Sequence, residues 1–423
     1  MPLYARYLVV FGAICYVIIA PLAAYLGYKL LTDDPINPGI PPLIAELSER
    51  QVRQDNFYIQ LMSLPESGGD PAKVWRLYQQ GQHDLSTERL PRLFELEDIH
   101  QHELWCSIAE TACQQLLQQH STELGLLLQS YTDLLSSYQA LHSSTELTPL
   151  KSGSLSLNWR QLSSLQQLYA ISIYQLILQQ RHAEAELRLA DYIRLTRRQL
   201  QQPTDLLQSM QIHVDWYNHV LPLVWALKKV QSEPLTQLVD ALQPLSLAEV
   251  TNLPAKKAEL TNQIQLLSHI DPDILTQSTR NTFYKPKMTL NAMYLRSGIA
   301  DASQVSSKAM LYQQWLDEQP DQHYVSLGSV EMLKRYYRNY LGGHLVELFA
   351  SFPDRSLYDR IRLDSKLYIL QTLLLIDHSA MQALKPENFP VNPYNGALAE
   401  YTTQGWCYRL KQEVCLDLTN AEP

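Results

Sequence analysis

From Leu43 onward the apolar positions of this chain recur at intervals of three and four residues with few interruptions, the period of helices that bury one face. "LIAELSERQVRQDNFYIQLMSL" (43–64) reads as a first long helix, stopped at "PESGGDP", and Pro71 suits the first turn of "PAKVWRLYQQ". "CQQLLQQHSTELGLLLQSYTDLLSSYQAL" (113–141) reads as one or two helices that bury Leu116, Leu117, Leu124, Leu127, Leu128, Leu134 and Leu135. The clearest unit lies at 155–201, where two helical faces meet at Arg181 and His182. Trp159, Leu162, Leu165, Tyr169, Ile173 and Leu176 line the first face, and Ala183, Leu187, Ala190 and Ile193 answer them. This is an αα-hairpin that resembles a tetratricopeptide unit, but no second copy follows at the period of about 34 residues that such repeats keep. The pattern therefore predicts an irregular stack of helical hairpins, not a regular solenoid.

Further helices are expected after Pro203 and at 234–243, 246–270, 303–317, 328–350 and 355–380, while 278–303 lacks periodicity and reads as a long ordered loop. Past "FPVNPYNG", the segment "LAEYTTQGWCYRLKQEVCLDL" alternates and predicts a small β-hairpin turning around Lys411 and Gln412. The fold class is thus mainly α with a small C-terminal β-hairpin.

One stretch departs from amphipathicity. Between Arg6 and Lys29 no charge interrupts "YLVVFGAICYVIIAPLAAYLGY". A bilayer core needs about 20 apolar residues of helix, so this run is long enough to span as a single N-terminal transmembrane helix. A cleaved signal peptide has a shorter apolar region, of about 7–15 residues, and "PLAAY" is a poor cleavage site; a buried core helix is a third reading. Arg6 before the span and Asp33 and Asp34 after it favour the N-terminus inside. "DDPINPGIPP" (33–42) is then a semi-stiff spacer. The expected organisation is an anchor at 1–30, a Pro-rich linker at 31–42, a helical body at 43–390 and a C-terminal extension at 391–423.

A net charge of −9 without a long Lys/Arg run argues against nucleic-acid binding. Four of the five cysteines form two local pairs, Cys106 with Cys113 and Cys407 with Cys415, while Cys15 lies in the apolar run. Neither pair has the close spacing of a zinc site. Outside the cytoplasm each pair can close a disulfide, and at the C-terminus the bond would pin the hairpin. On a continuous helix, residues seven apart are too distant for a bridge, so Cys106–Cys113 requires the helix to begin near Cys113.

Chemistry-bearing motifs are few. "DIHQHE" places Asp98, His100, His102 and Glu103 together, but no third and fourth metal ligand can be named. His213 and His219 lie six apart on one helix and point in different directions. No nucleophile elbow, P-loop or dinucleotide fingerprint occurs, so no catalytic residue, metal or cofactor is assigned. Asn291, Tyr294, Asn339 and His344 fall at breaks in periodicity, where polar groups could converge in a cleft; Asn at such breaks equally serves as a helix cap.

"WCSIAETACQQLLQQHSTELGLLLQSYTDLLSSYQAL", "YKPKMTLNAMY", "RNYLGGHLVELF" and "NPYNGALAEY" resemble, in that order, motifs of a poorly characterised group of helical, N-terminally anchored envelope proteins of Gram-negative bacteria. The positions that carry the resemblance are Cys106 and Cys113, Thr289 to Asn291, and Asn339 with Gly342. It implies topology and fold and brings no activity. The function expected is a periplasm-facing scaffold or interaction module of the inner membrane, with other envelope proteins as partners; the alternative is an envelope enzyme or small-ligand binder.

Overall fold

The structure, a computed structural model, describes Pro21 and residues 34–49, 51–64, 70–81, 98–148, 159–203, 205–231, 233–270, 285–317, 356–376 and 384–416. The chain divides into two compact units. One comprises residues 1–48, 263–300 and 320–352, and the other residues 49–262, 301–319 and 353–423. The protein is mainly helical, with one small antiparallel sheet near the C-terminus. No helix among the described residues is long and apolar enough to cross a membrane. Of the apolar run at 7–28, only Pro21 is described.

In the first unit, helix α1 (Ile40–Glu49) begins inside the stretch read as a spacer. Pro41 and Pro42 occupy its first turn, where a missing N–H costs no hydrogen bond. The segment read as a loop also contains helices: Pro286–Arg296, with Pro286 in the first turn, and Ile299–Gln304, which runs on from this unit. Thr289, Leu290 and Met293 turn inward on the first of these, a stripe too short for its period to emerge from the sequence.

The larger unit opens with α2 (Phe57–Met62) and α3 (Pro71–Gly81). The single helix expected over 43–64 is broken: α1 ends at Glu49, and a new helix starts where Asn56 caps α2, its Oδ1 accepting from Tyr58 N at 2.9 Å. Three short helices follow, α4 (Thr111–Gln119), α5 (Ser121–Ser130) and α6 (Thr132–Ala140), with breaks at His120 and Tyr131 in place of one or two long helices. Leu117, Leu124, Leu128 and Leu135 are buried, and Leu116, Leu127 and Leu134 are partly covered. A 3₁₀ turn (Leu141–Ser143) ends this run.

The hairpin at the centre of this unit is α7 (Trp159–Leu178) and α8 (His182–Gln201). Its turn is a Schellman motif: Arg181 N donates to Leu176 O at 2.9 Å, Gln180 N donates to Ile177 O at 3.0 Å, and Gln180 takes φ +62°. Leu162, Leu165, Tyr169, Ile173 and Leu176 are buried on α7 as the sequence pattern predicts. On α8 Ala190 and Ile193 are buried as the pattern predicts, within a stripe that also holds Ala185, Leu189, Tyr192, Thr196 and Leu200, whereas Ala183 and Leu187 face solvent. The two stripes differ by less than a helical turn, and packing chose the one that carries Tyr192 and Thr196 inward.

Helix α9 (Leu206–Asp215) runs through a π turn (Trp216–Val220) into α10 (Leu221–Val230). Pro222 cannot donate to the carbonyl four residues back, and the π turn sits directly before it. Then come α11 (Thr236–Ala241), α12 (Leu247–Thr251) and Leu253–Ile270, the last two separated by Asn252 at φ +56°, where one helix was expected. Helices Lys308–Asp317 and Leu357–Leu374 follow among the described residues, and the helix expected at 328–350 lies outside them.

The terminal sheet has three strands in sequential order, β1 (Glu400–Thr402), β2 (Gly405–Arg409) and β3 (Glu413–Leu416), one more than the hairpin expected. In the β2–β3 register Cys407 faces Cys415, and a disulfide joins them with Cα atoms 4.0 Å apart. The Cys106–Cys113 bond also forms, with Cα atoms 5.6 Å apart, because α4 begins only at Thr111 and residues 107–110 fold back in a turn.

Candidate functional site

Helix α8 places polar groups on two sides. Toward the core, Tyr192 donates its hydroxyl to Asp215 Oδ2 at 2.6 Å, and the other oxygen of Asp215 lies 2.7 Å from His219 Nδ1. Asp215 is 1% exposed and ends α9, while His219 stands on the π turn. One turn along α8, Thr196 accepts from Trp216 Nε1 at 2.9 Å. Burial and the nearby Asp215 charge raise the Tyr192 hydroxyl well above the usual phenol range, so it serves as a donor.

His142, on the 3₁₀ turn, continues this polar seam. Its ring packs against Tyr138, Tyr169 and Tyr192, with centroids 4.9, 4.8 and 5.6 Å away. Neither ring nitrogen has a hydrogen-bond partner among the described residues. Burial, aided by the Arg198 charge, pushes its pKa down to about 3, so the imidazole is neutral over the ordinary pH range.

Toward solvent, α8 presents Asp191, Arg194, Arg198 and Gln201 along one face, with Arg197 beside them. Together with residues 142–143, Asp240, Ala241 and Gln243 they line an open pocket of about 640 Å³. Arg198 donates to the carbonyl oxygens of His142 and Ser144, both at 2.6 Å, closing the C-terminal end of the 3₁₀ turn. Arg197 is held by Glu249, which is buried inside the capping box of α12, and by the carbonyls of Gln243 and Pro244. Among the described residues the Arg194 side chain reaches only Asp191, at 2.8 Å. Burial lowers the Arg198 pKa, while Asp191 opposes that shift. A second depression, lined by Arg53, Asp55 and Asp70, is a shallow surface feature without a buried polar group aimed into it.

Of the four residues expected to line a cleft, Asn291 and Tyr294 are among the described residues. Asn291 lies inside helix Pro286–Arg296, not at its cap, and its side chain accepts from Asn37 N at 2.7 Å and donates to Pro35 O at 2.8 Å. It thereby fastens the Pro-rich segment. Tyr294, one turn on, covers Gly39, where an added Cβ would collide with the phenol hydroxyl. Asn339 and His344 lie outside the described residues. In the "DIHQHE" stretch, His100 Nε2 meets Ser164 Oγ at 3.1 Å, His102 Nδ1 accepts from Leu104 N, and Glu103 is exposed. His213 Nδ1 bonds Ser209 O and His219 Nδ1 bonds Asp215, so the two rings serve different neighbours. Among the described residues only Cys407, Glu413 and Cys415 bring metal-type atoms close together, and there the two sulfurs are bonded to each other.

Sequence reasoning missed the pocket residues, although "RLTRRQ" (194–199) carries the signal: Arg194, Arg197 and Arg198 at spacings that share one helix side. No protein-family model, no curated protein and no solved structure matches this chain.

Proposed function

We propose that this chain is a single-pass protein of the inner membrane whose helical body faces the periplasm and serves as a scaffold or interaction module for other envelope proteins. The observation that carries the reading is the pair of local disulfides, Cys106–Cys113 and Cys407–Cys415, which belong to an oxidising compartment. The charge-free run at 7–28 supplies the anchor, and the hairpin of α7 and α8 supplies a rigid platform. The resemblance to N-terminally anchored envelope proteins agrees with this topology.

A C-terminal fusion to a reporter active only outside the cytoplasm tests the orientation, and crosslinking in intact cells followed by affinity purification tests the scaffold role. An inactive reporter beside an active cytoplasmic one, or recovery of no envelope partner under several growth conditions, would overturn the proposal. The second reading, a small-ligand binder, is favoured by one observation, the arginine-lined pocket on α8.

A further inference from the structure

We infer that the pocket on α8 is a binding site for a small oxyanion-bearing ligand, whose carboxylate or phosphate group is held by Arg198 and Arg194. The inference does not depend on the membrane anchor or on the scaffold role.

Positive charge is concentrated at this pocket. Arg194, Arg197 and Arg198 crowd three guanidinium groups into little more than one turn of α8, and like charges at this spacing weaken a helix. Two are compensated: Arg197 by buried Glu249, Arg194 by Asp191. Arg198 has no carboxylate partner among the described residues, and its bonds go to backbone carbonyls. It is partly buried, so its charge is set in a medium where an uncompensated cation is costly and an arriving anion correspondingly favoured.

The hydrogen-bond donors add Arg194 to Arg198. A guanidinium offers five N–H donors. Arg197 spends four of them on Glu249, Gln243 and Pro244. Arg198 spends three and Arg194 one, which leaves these two, one turn apart on the same face, with donors to spare. Planar forks of this kind match carboxylate and phosphate oxygens.

The remaining lining sets the ligand's size and charge. A pocket of about 640 Å³ suits a small molecule. Gln201 and Gln243 add amides able to donate or accept, and Asp191 and Asp240 disfavour a polyanion such as nucleic acid. The site lies where the 3₁₀ turn meets α8, so a bound anion would also tighten the Arg198 bonds that hold this turn.

The test uses the full-length chain in detergent, titrated calorimetrically at constant ionic strength with inorganic phosphate, with succinate and with neutral succinamide. The expected result is saturable binding of phosphate or succinate with a Kd on the order of 1 mM or tighter, and none of succinamide. The preferred anion distinguishes the two sources of the oxyanion. Arg194→Gln should weaken binding at least about tenfold, with Arg194→Lys intermediate and the melting curve little changed, since Arg194 holds only an exposed pair. Arg198→Gln should weaken it further, and its fold is checked by circular dichroism. Absence of saturable binding to the wild-type chain, or undiminished binding by Arg194→Gln, would overturn the inference.

Discussion

Lys308 Nζ lies 2.6 Å from Asp364 Oδ2, an ion pair of a half-buried lysine and a buried carboxylate that ties helix Lys308–Asp317 to helix Leu357–Leu374. Asp364 is fully buried and also accepts from Tyr394 Oη at 2.8 Å and Leu245 N at 2.6 Å. Burial pushes its carboxyl upward, against Lys308 and the other donors. Removing one partner of such a pair leaves an uncompensated group. Asp364→Asn should therefore cost about 3–5 kcal/mol, and Tyr394→Phe only about 1–2 kcal/mol. Urea unfolding of both variants checks the order.

His142 makes stability depend on pH. Its folded pKa of about 3 lies below the ordinary 6.5, so the unfolded chain binds more protons between these values and stability falls as pH drops through that window. The groups that face it are Tyr138, Tyr169, Tyr192 and Arg198, with Asp215 beyond Tyr192 and Asp191 beyond Arg198. At pH 4.5 the loss from His142 is about 2–3 kcal/mol. His142→Phe, which keeps an edge-to-face ring, should flatten the midpoint-against-pH curve between pH 6.5 and 4.5. An unchanged slope would place the acid sensitivity elsewhere.

The disulfides give a direct chemical readout. Alkylation without reductant should modify one of the five cysteines, Cys15, and mass analysis counts the adducts. Replacing Cys407 and Cys415 together by serine should lower stability by about 2–3 kcal/mol, the chain-entropy value for so short a loop.

Gln180 holds the left-handed position of the Schellman motif between α7 and α8. A side chain there is strained, and glycine is not. Gln180→Gly should raise stability by about 0.5–1 kcal/mol, read as a higher thermal midpoint.

Gly39 is defined by what covers it. The Tyr294 hydroxyl occupies the space a Cβ would need, and Asn291 holds the flanking backbone. Gly39→Ala should cost about 1–3 kcal/mol and increase protease cleavage near residues 35–40, with Asn291→Ala producing the same cleavage pattern.

Much of the helical order was legible because each helix carries its own period. The hairpin of α7 and α8, the strand alternation around Cys407 and Cys415, and the requirement that α4 start near Cys113 all follow from local spacing. The failures share a cause. Asn56 starts a helix, and His120 and Tyr131 interrupt helices, without a proline or glycine to announce them; the break at Asn252 is marked only by Pro254 in the first turn of the next helix, and helix Pro286–Arg296 is too short for its stripe to register. Asn291 was legible as a polar residue needing partners, but those partners, Asn37 and Pro35, lie more than 250 positions away in sequence.

By itself the sequence determined the helical class, the cysteine pairing by proximity and the charge-free run at 7–28, because each depends on residues within a few turns of one another. Tertiary structure decided which residues of α8 are buried, that Glu249 neutralises Arg197, and that Arg198 bonds backbone carbonyls and, among the described residues, no carboxylate. Those outcomes depend on α12, the 3₁₀ turn and the π turn arriving at α8 from distant parts of the chain, and no local period records where they meet.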